Sequence, residues 1–361
     1  MALSGDFYIN LAVVVVLILL VGAFIYQTQR KNRRARNLTI GLIIAILGQA
    51  VYLVGIILNL DASGLLIIKH VRDFIFGIFY FFIFLHYEAL SKERPNTLLS
   101  SLFSGFLAIF GSFTIVLMLV PENQLMIDLT RRTANFIGLG IFMYCSYLNY
   151  RTTKRVKEWE SYLESIMLSL VAFAHIIYVL GDNYLLNFLN VLGGYEMLAD
   201  VLATVGTFVY VLTYLINPDY LYRLPIPIYQ IIIFNQSGLP CYNREVYTKG
   251  LERPEIDEML FPAIITAISS FLSETMGKKA QLKHIDASSK QMFINTQENL
   301  SITVIADKGT RFLQKSIKIL NDLIPKDLRD DLNASDTKYK PYQETLDKLV
   351  KTAFPYLKIK D

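Results

Sequence analysis

Cysteine, histidine and charge are all scarce in this chain of 361 residues. The two cysteines, Cys145 and Cys241, lie far apart in the sequence, so there is no disulfide framework, and two isolated thiols make no metal site. His284 alternates with apolar neighbours and has no Cys, His or carboxylate at ligand spacing, so it reads as a strand histidine and not a catalytic one. The phosphate-cradling glycine loop is missing too. The segment ADKGT (306 to 310) lacks P-loop spacing, and no kinase, cyclase or protease signature is present. A non-enzymatic protein with no cofactor and no metal is the expectation.

Charged residues make up 18% of the chain against 53% hydrophobic ones, too apolar a balance for an ordinary soluble protein. Their distribution is uneven: 19 of the 35 basic and 17 of the 31 acidic residues follow Pro225. That region has nearly balanced charge and reads as water-soluble, with no basic patch for a nucleic acid.

Before Pro225 the sequence is dominated by long apolar runs, at 7 to 26, 38 to 60, 65 to 90, 97 to 120, 126 to 150, 161 to 181 and 189 to 216. About 20 mostly apolar residues are needed for a helix to cross roughly 30 Å of hydrocarbon, so the pattern predicts an all-α domain of seven spans over 1 to 216. The connections are basic on one side only. The first holds Arg30, Lys31, Arg33, Arg34 and Arg36, the third Lys92 and Arg94, the fifth Arg151, Lys154, Arg155 and Lys157, and Arg223 follows the last run. DASG (61 to 64), PENQ (121 to 124) and the stretch after Gly181 have neither Lys nor Arg. Basic loops stay inside, which predicts a multi-pass cell-membrane protein with its N-terminus outside and its C-terminal domain in the cytoplasm. The head MALSGDF carries no positive charge and no small-residue cleavage site follows, so the first helix is expected to be retained.

The segment NPDYLYRLPIP (217 to 227) contains Pro218, Pro225 and Pro227 and forms a stiff hinge. After it the periodicity changes. IYQIIIF (228 to 234), a turn at NQSG and LPCYNREVY (239 to 247) predict a hairpin. A helix is expected over 255 to 277, with Ile264, Ile265, Ile268, Phe271, Leu272 and Met276 on one face. Three strands follow at 281 to 288, 290 to 297 and 300 to 307, with turns at Ser289 and Glu298-Asn299. Helices at 310 to 324, striped by Phe312, Leu313, Ile317, Leu320 and Ile324, and at 342 to 355 complete the domain.

The order strand, strand, helix, three strands, helix, helix resembles the longin fold and, more loosely, the roadblock fold. The segments that carry the resemblance are IIIFNQSGLPCYNREV, the single long helix and TVIADKGTRFLQKSIKIL. Roadblock domains open with a helix, whereas this domain leaves the hinge directly into a strand, so longin order is the better match. The resemblance implies an α+β, profilin-like domain over 228 to 330, with 331 to 361 as a helical extension. It further implies a non-enzymatic platform that binds a small GTPase, another longin or roadblock domain, or a trafficking factor, with a homodimer through this domain as a further possibility. Tyr242, Arg244 and Tyr247 on the second strand and Glu274 on the long helix are the candidate docking residues.

The membrane region offers a second set of candidates. Lys69, Arg72 and Asp73 share one helical face near the expected outer surface. Asp128, Arg131 and Arg132 open the fifth run, Asp182 closes the sixth, and Glu196 and Asp200 lie one turn apart on the seventh. His175, about 21 Å along the sixth helix from Ser161, falls in the outer half of the bilayer. Charges at membrane depth face the interior, so these residues define a candidate outer pocket, weighed against pairs such as Arg72 with Glu196 that only fix packing. The aromatic run FIFGIFYFFIFLHY (74 to 87) reads as ring packing against neighbours. NPDYLY and HYE (86 to 88) are similar to the end-of-helix signals of animal seven-helix receptors, but chance explains both in a chain with 22 tyrosines. The seventh run has no lysine for a retinal Schiff base. RARNLTIGLIIAILGQAVYLVG resembles the second helix of bacterial seven-span sensor kinases.

The combined expectation is a receptor or sensor whose cytoplasmic longin-like domain docks a protein partner. The alternative is a small-solute transporter or channel with a regulatory tail, although no internal repeat supports it. Single cysteines at Ser63 and Asn123 are expected to react with impermeant reagents in intact cells while cysteines at Asn32 and Thr153 stay protected. Labelling at Asn32 or Thr153 overturns the orientation.

Overall fold

The computed structural model describes residues 5–31, 36–92, 94–156, 159–181, 195–217, 220, 226–246, 260–276, 282–287, 290–334, 342–355 and 357. The chain divides into two units, Met1–Ala89 with Pro95–Leu221 and Leu90–Arg94 with Tyr222–Asp361.

The first unit is helical: α1 (Gly5–Lys31), α2 (Arg36–Ile57), α3 (Ala62–Ser91), α4 (Thr97–Leu119), α5 (Gln124–Val156), α6 (Trp159–Gly181) and α7 (Tyr195–Ile216). Four of these, α2, α3, α4 and α6, are long and apolar enough to cross a membrane. The apolar stretches of α1 and α7 are shorter, Asn10–Tyr26 and Leu198–Tyr214. At 33 residues α5 is long enough, but it carries Asp128, Arg131 and Arg132 near its start and Arg151, Lys154 and Arg155 near its end.

Close helix approach depends on small residues. On α2, Gly41, Gly48 and Gly55 recur every seven residues and meet α3 in antiparallel order. A Cβ added at each would fall 2.9 Å from Phe82, 3.0 Å from Ile75 and 2.9 Å from Ile68. Where water does not drive helices together, such small-residue seams supply the contact area. The aromatic run of α3 packs sideways: Phe74 lies edge-on to Phe110 at 5.5 Å, Phe84 to Phe103 at 5.0 Å and Tyr80 to Phe142 at 4.9 Å. Asn96 caps α4, accepting from the amides of Leu98 and Leu99.

The second unit holds a five-stranded antiparallel sheet. Strands β1 (Ile228–Asn235), β2 (Pro240–Glu245), β3 (His284–Ala287), β4 (Lys290–Gln297) and β5 (Leu300–Ala306) lie in the order β2-β1-β5-β4-β3. Every residue of the interior strand β1 is buried, the polar Gln230 and Asn235 among them, as expected of a strand paired on both sides and covered on both faces. In the first turn Asn235 Oδ1 accepts from the amides of Ser237 and Leu239, and Gly238 takes φ +76°. Glu298 and Asn299 both have positive φ, the geometry of the tight turn that joins β4 to β5 with matching twist. The Ser289 turn lies outside the described residues.

The two faces of the sheet are covered differently. Ile231, Ile233, Ile302 and Val304 point towards α9 (Arg311–Leu323), α10 (Lys326–Ala334) and α11 (Gln343–Ala353), where Leu313, Ile317, Leu320, Leu332, Leu346 and Val350 close the larger core. Each fully buried Leu or Ile contributes about 1.5–3 kcal/mol. Tyr229, Ile232, Phe234, Ile294 and Ile305 form the other face, under α8 (Leu260–Met276). The helix expected over 255 to 277 is described from Leu260, and 255 to 259 lie outside the described residues. Its apolar side chains share one wide arc, as expected, but the sheet buries only part of it. Ile265 is buried, whereas Ile264, Ile268, Phe271 and Met276 are exposed, because the sheet covers only one flank of a wide apolar arc.

Helix α10 is absent from the sequence reading, which passes from 324 directly to 342. It follows Pro325 and carries Leu328 and Leu332 one turn apart, a signal spread over only nine residues. It delivers the buried Arg329, which donates to the carbonyls of Ile324 at 3.2 Å, Gln297 at 3.0 Å and Asn321, fastening the β4–β5 turn to the end of α9. Residues 225 to 361 are expected to fold alone in water and to melt cooperatively, and Arg329→Met to cost about 3 kcal/mol in urea unfolding by leaving buried carbonyls unpartnered. A disordered fragment overturns the first expectation and unchanged stability the second.

Candidate functional site

Of the residues expected to form an outer pocket, Lys69, Arg72 and Asp73 of α3 and Arg131 of α5 all lie within electrostatic range of the buried His70, and the other described ones occupy separate contacts. Arg72 pairs with its neighbour Asp73 at 3.0 Å and lies 4.5 Å above the ring of Tyr52, while Lys69 points into the open. The Arg72 guanidinium is thus engaged by Asp73; Glu196, its other candidate partner, has a side chain outside the described residues. Arg131 lies 3.9 Å from Asp128 and Arg132 is exposed. Asp200 accepts from Tyr178 of α6. Asp182 lies outside the described residues.

His175 is the deepest of the set and is enclosed. Its Nδ1 lies 3.1 Å from Asn135 Oδ1 of α5, and its ring stacks on Phe142 at 5.8 Å. Gly138 makes room for it, since a Cβ there would lie 2.4 Å from the imidazole. This fixes α5 against α6 and leaves the ring no open space on the Gly138 side.

A more concentrated polar site lies at the opposite end of the same helices. Glu164, one turn into α6, is fully buried and gathers three phenols. Tyr87 of α3 donates to its Oε1 at 2.5 Å, Tyr214 of α7 donates to the same oxygen, and Tyr220 donates to Oε2 at 2.9 Å while lying 3.0 Å from Ser161 Oγ. Asn217 donates to Glu160 at 3.2 Å. Asn149 of α5 donates to the Ser161 carbonyl at 3.1 Å and to Ser165 Oγ at 3.0 Å. Beside this cluster the buried Glu88 accepts from Tyr144 of α5 and, at 2.6 Å, from the amide of Asn96. A buried carboxylate is tolerable only when donors replace its water, and here they come from α3, α7 and the residue just past α7.

Sequence reasoning does not single out Glu160 or Glu164. A legible signal exists, a lone carboxylate just inside the apolar run 161 to 181, since an ionisable residue within a span is a functional marker by default. HYE and NPDYLY, put down to chance, supply Tyr87, Glu88, Asn217 and Tyr220 to this cluster.

In the second unit the candidate docking strand is occupied by the chain itself. Tyr242 is fully buried and donates to Asp347 Oδ1 of α11 at 2.7 Å, and Arg244 grips the same carboxylate in a fork at 3.2 and 3.1 Å. Helix α11 therefore covers the β2 face on which Tyr242 and Arg244 sit. Arg244, a candidate docking residue, is therefore engaged inside the domain, and its substitution is expected to disturb the fold. Tyr247 lies outside the described residues, and Glu274 is exposed near the end of α8. Burial works against the Asp347 charge, but the hydrogen bonds from Arg244 and Tyr242 outweigh it and hold the carboxyl below its ordinary range. Burial, reinforced by Asp347, pushes the Tyr242 phenol well up. The Cys241 thiol is pushed up to about 11 by burial, which makes it inert.

His284 stacks on Phe293 at 4.9 Å on the edge strand β3. Among the described residues no group of three His, Cys, Asp or Glu side chains could hold a metal. An open polar cleft lies where the β4–β5 turn meets α10, lined by Glu298, Asn299, Lys326, Arg329, Asp330 and Asn333. No protein-family model, no curated protein and no solved structure matches the chain.

Because Asp347 binds its proton less readily when folded than when unfolded, its pairing stabilises the domain above about pH 4 and is lost as pH falls through the folded-state value. Thermal melts of residues 225 to 361 are expected to show Asp347→Asn less stable than wild type at pH 7, with the gap closing below about pH 4. A gap independent of pH removes the charged fork.

Proposed function

We propose that the chain is an integral membrane receptor of the sensor type. Its seven helices span the bilayer with the N-terminus outside, and its cytoplasmic longin-like domain docks a protein partner, a small GTPase or a trafficking factor. The four helices long and apolar enough to cross a membrane support the membrane reading, together with the basic connections on one side only. The element order β1-β2-α8-β3-β4-β5-α9 supports the longin-like reading, because it is the order that the resemblance implies.

The observation that carries the sensor reading is the Glu164 cluster. A receptor needs a rigid path from its spans to its output domain, and Glu164 binds Tyr87 of α3, Tyr214 of α7 and Tyr220 of the hinge in one buried contact. Any shift of α3 or α7 against α6 reaches the hinge through hydrogen bonds that are strong in a low dielectric. With the Tyr242 and Arg244 face of β2 taken up by α11, the free edge of β3 at the other side of the sheet is the docking edge in this proposal.

Two measurements test this. Full-length protein in nanodiscs is expected to capture small GTPases in one nucleotide state; capture in neither state overturns the docking proposal and favours a transporter with a regulatory tail. Trypsin cleavage after Arg223 is expected to quicken severalfold in Tyr220→Phe and in Glu164→Gln as the hinge is released. Unchanged cleavage in both means that the cluster does not restrain the hinge.

A further inference from the structure

We propose that the outer face of α8 lies in the headgroup layer of the lipid bilayer, which makes the second unit a membrane-surface domain. The inference rests on the membrane-spanning reading of the first unit. It starts from the division of α8 into two apolar faces. Pro262 and Ile265 are buried, and Phe261 packs with Ile265 against the sheet. The adjoining flank is apolar as well: Leu260 is 58% exposed, Ile264 46%, Ile268 39% and Phe271 63%. These four recur at helical spacing along about 17 Å of axis, and Ala263 and Ala267, both exposed, fall on the same arc. Between Leu260 and Phe271 the arc has no side chain that could hydrogen-bond a partner; the exposed Glu274 and Thr275 continue it past Phe271.

Three observations favour lipid over a protein as occupant. From Leu260 to Phe271 this face is an uninterrupted apolar strip with no polar group inside it, the form of a helix face laid against hydrocarbon, and the polar Ser270, Glu274 and Thr275 stand only at its edge and end. At 17 residues, with one flank tied to the sheet, α8 is too short to span but has the form of a helix that lies in the interface. The sequence that follows it, GKKAQLK (277 to 283), carries Lys278, Lys279 and Lys283 and no acidic residue, a charge complementary to anionic headgroups. The tether is short besides: residues 217 to 227 reach at most about 40 Å, so the domain never leaves the neighbourhood of the bilayer.

The test uses full-length protein in nanodiscs of phosphatidylcholine with and without 30% phosphatidylserine. Nitroxides are placed singly at Ile264→Cys and Phe271→Cys, with Ser273→Cys as the polar-side control; the native Cys145 and Cys241 are both buried. Labels at 264 and 271 are expected to collide at least threefold more with oxygen than with a water-soluble nickel chelate, and the label at 273 to show the reverse, with the contrast growing when phosphatidylserine is present. Equal nickel access at all three positions overturns the proposal. So does protection of 264 and 271 from both reagents, which is the signature of a protein or a second copy on this face. Failure of the spanning reading shows separately, as release of the full chain by carbonate extraction.

Discussion

A carboxylate set among apolar helices has to be surrounded by donors, and the surroundings of Glu164 organise this end of the first unit. Tyr87, Tyr214 and Tyr220 each place a hydroxyl at this one side chain, so the ends of α3, α6 and α7 are fixed relative to one another and to Tyr220 of the hinge. Apolar contacts alone would let these helices slide, because lipid and leucine are nearly equivalent surroundings. Directional bonds to a buried charge do not permit that.

At the other end His175 is held by Asn135 and by the space that Gly138 leaves. Between the two ends run the rings of α3, packed edge-on against α4 and α5. Polar contacts thus hold α5 against α6 at one end and α3, α6 and α7 together at the other, with aromatic packing between. The second unit follows the opposite plan. Its sheet is sealed on the α9 side by three helices and a bidentate Arg244–Asp347 pair, and only partly covered on the α8 side. Its inward surface is settled by packing, and the outward apolar side chains of α8 stay exposed.

Much of this architecture is legible in residue patterns. The β1–β2 hairpin, the β4–β5 turn at Glu298-Asn299 and the α9 stripe all follow from local chemistry: turn residues that accept positive φ, an N-cap threonine, and apolar residues at helical spacing. Helix α10 escapes because two leucines in nine residues make a faint period. The α8 stripe is legible as apolar, yet the sequence does not say which flank the sheet takes.

Local composition by itself determined where most of the described helices and strands form and that charge gathers after the hinge, because these depend on neighbours within a few residues. The seven-residue spacing of Gly41, Gly48 and Gly55 is likewise visible in the sequence, but only the fold shows that Phe82, Ile75 and Ile68 fill it. Tertiary structure alone decided that Glu164 meets tyrosines 77, 50 and 56 positions away, and that Arg244 is used by Asp347 and not left for a partner. The physical reason is range. Backbone preference and periodicity act within a turn or two, whereas the partner of a buried charge is chosen by whichever distant segments the packing brings within 3 Å.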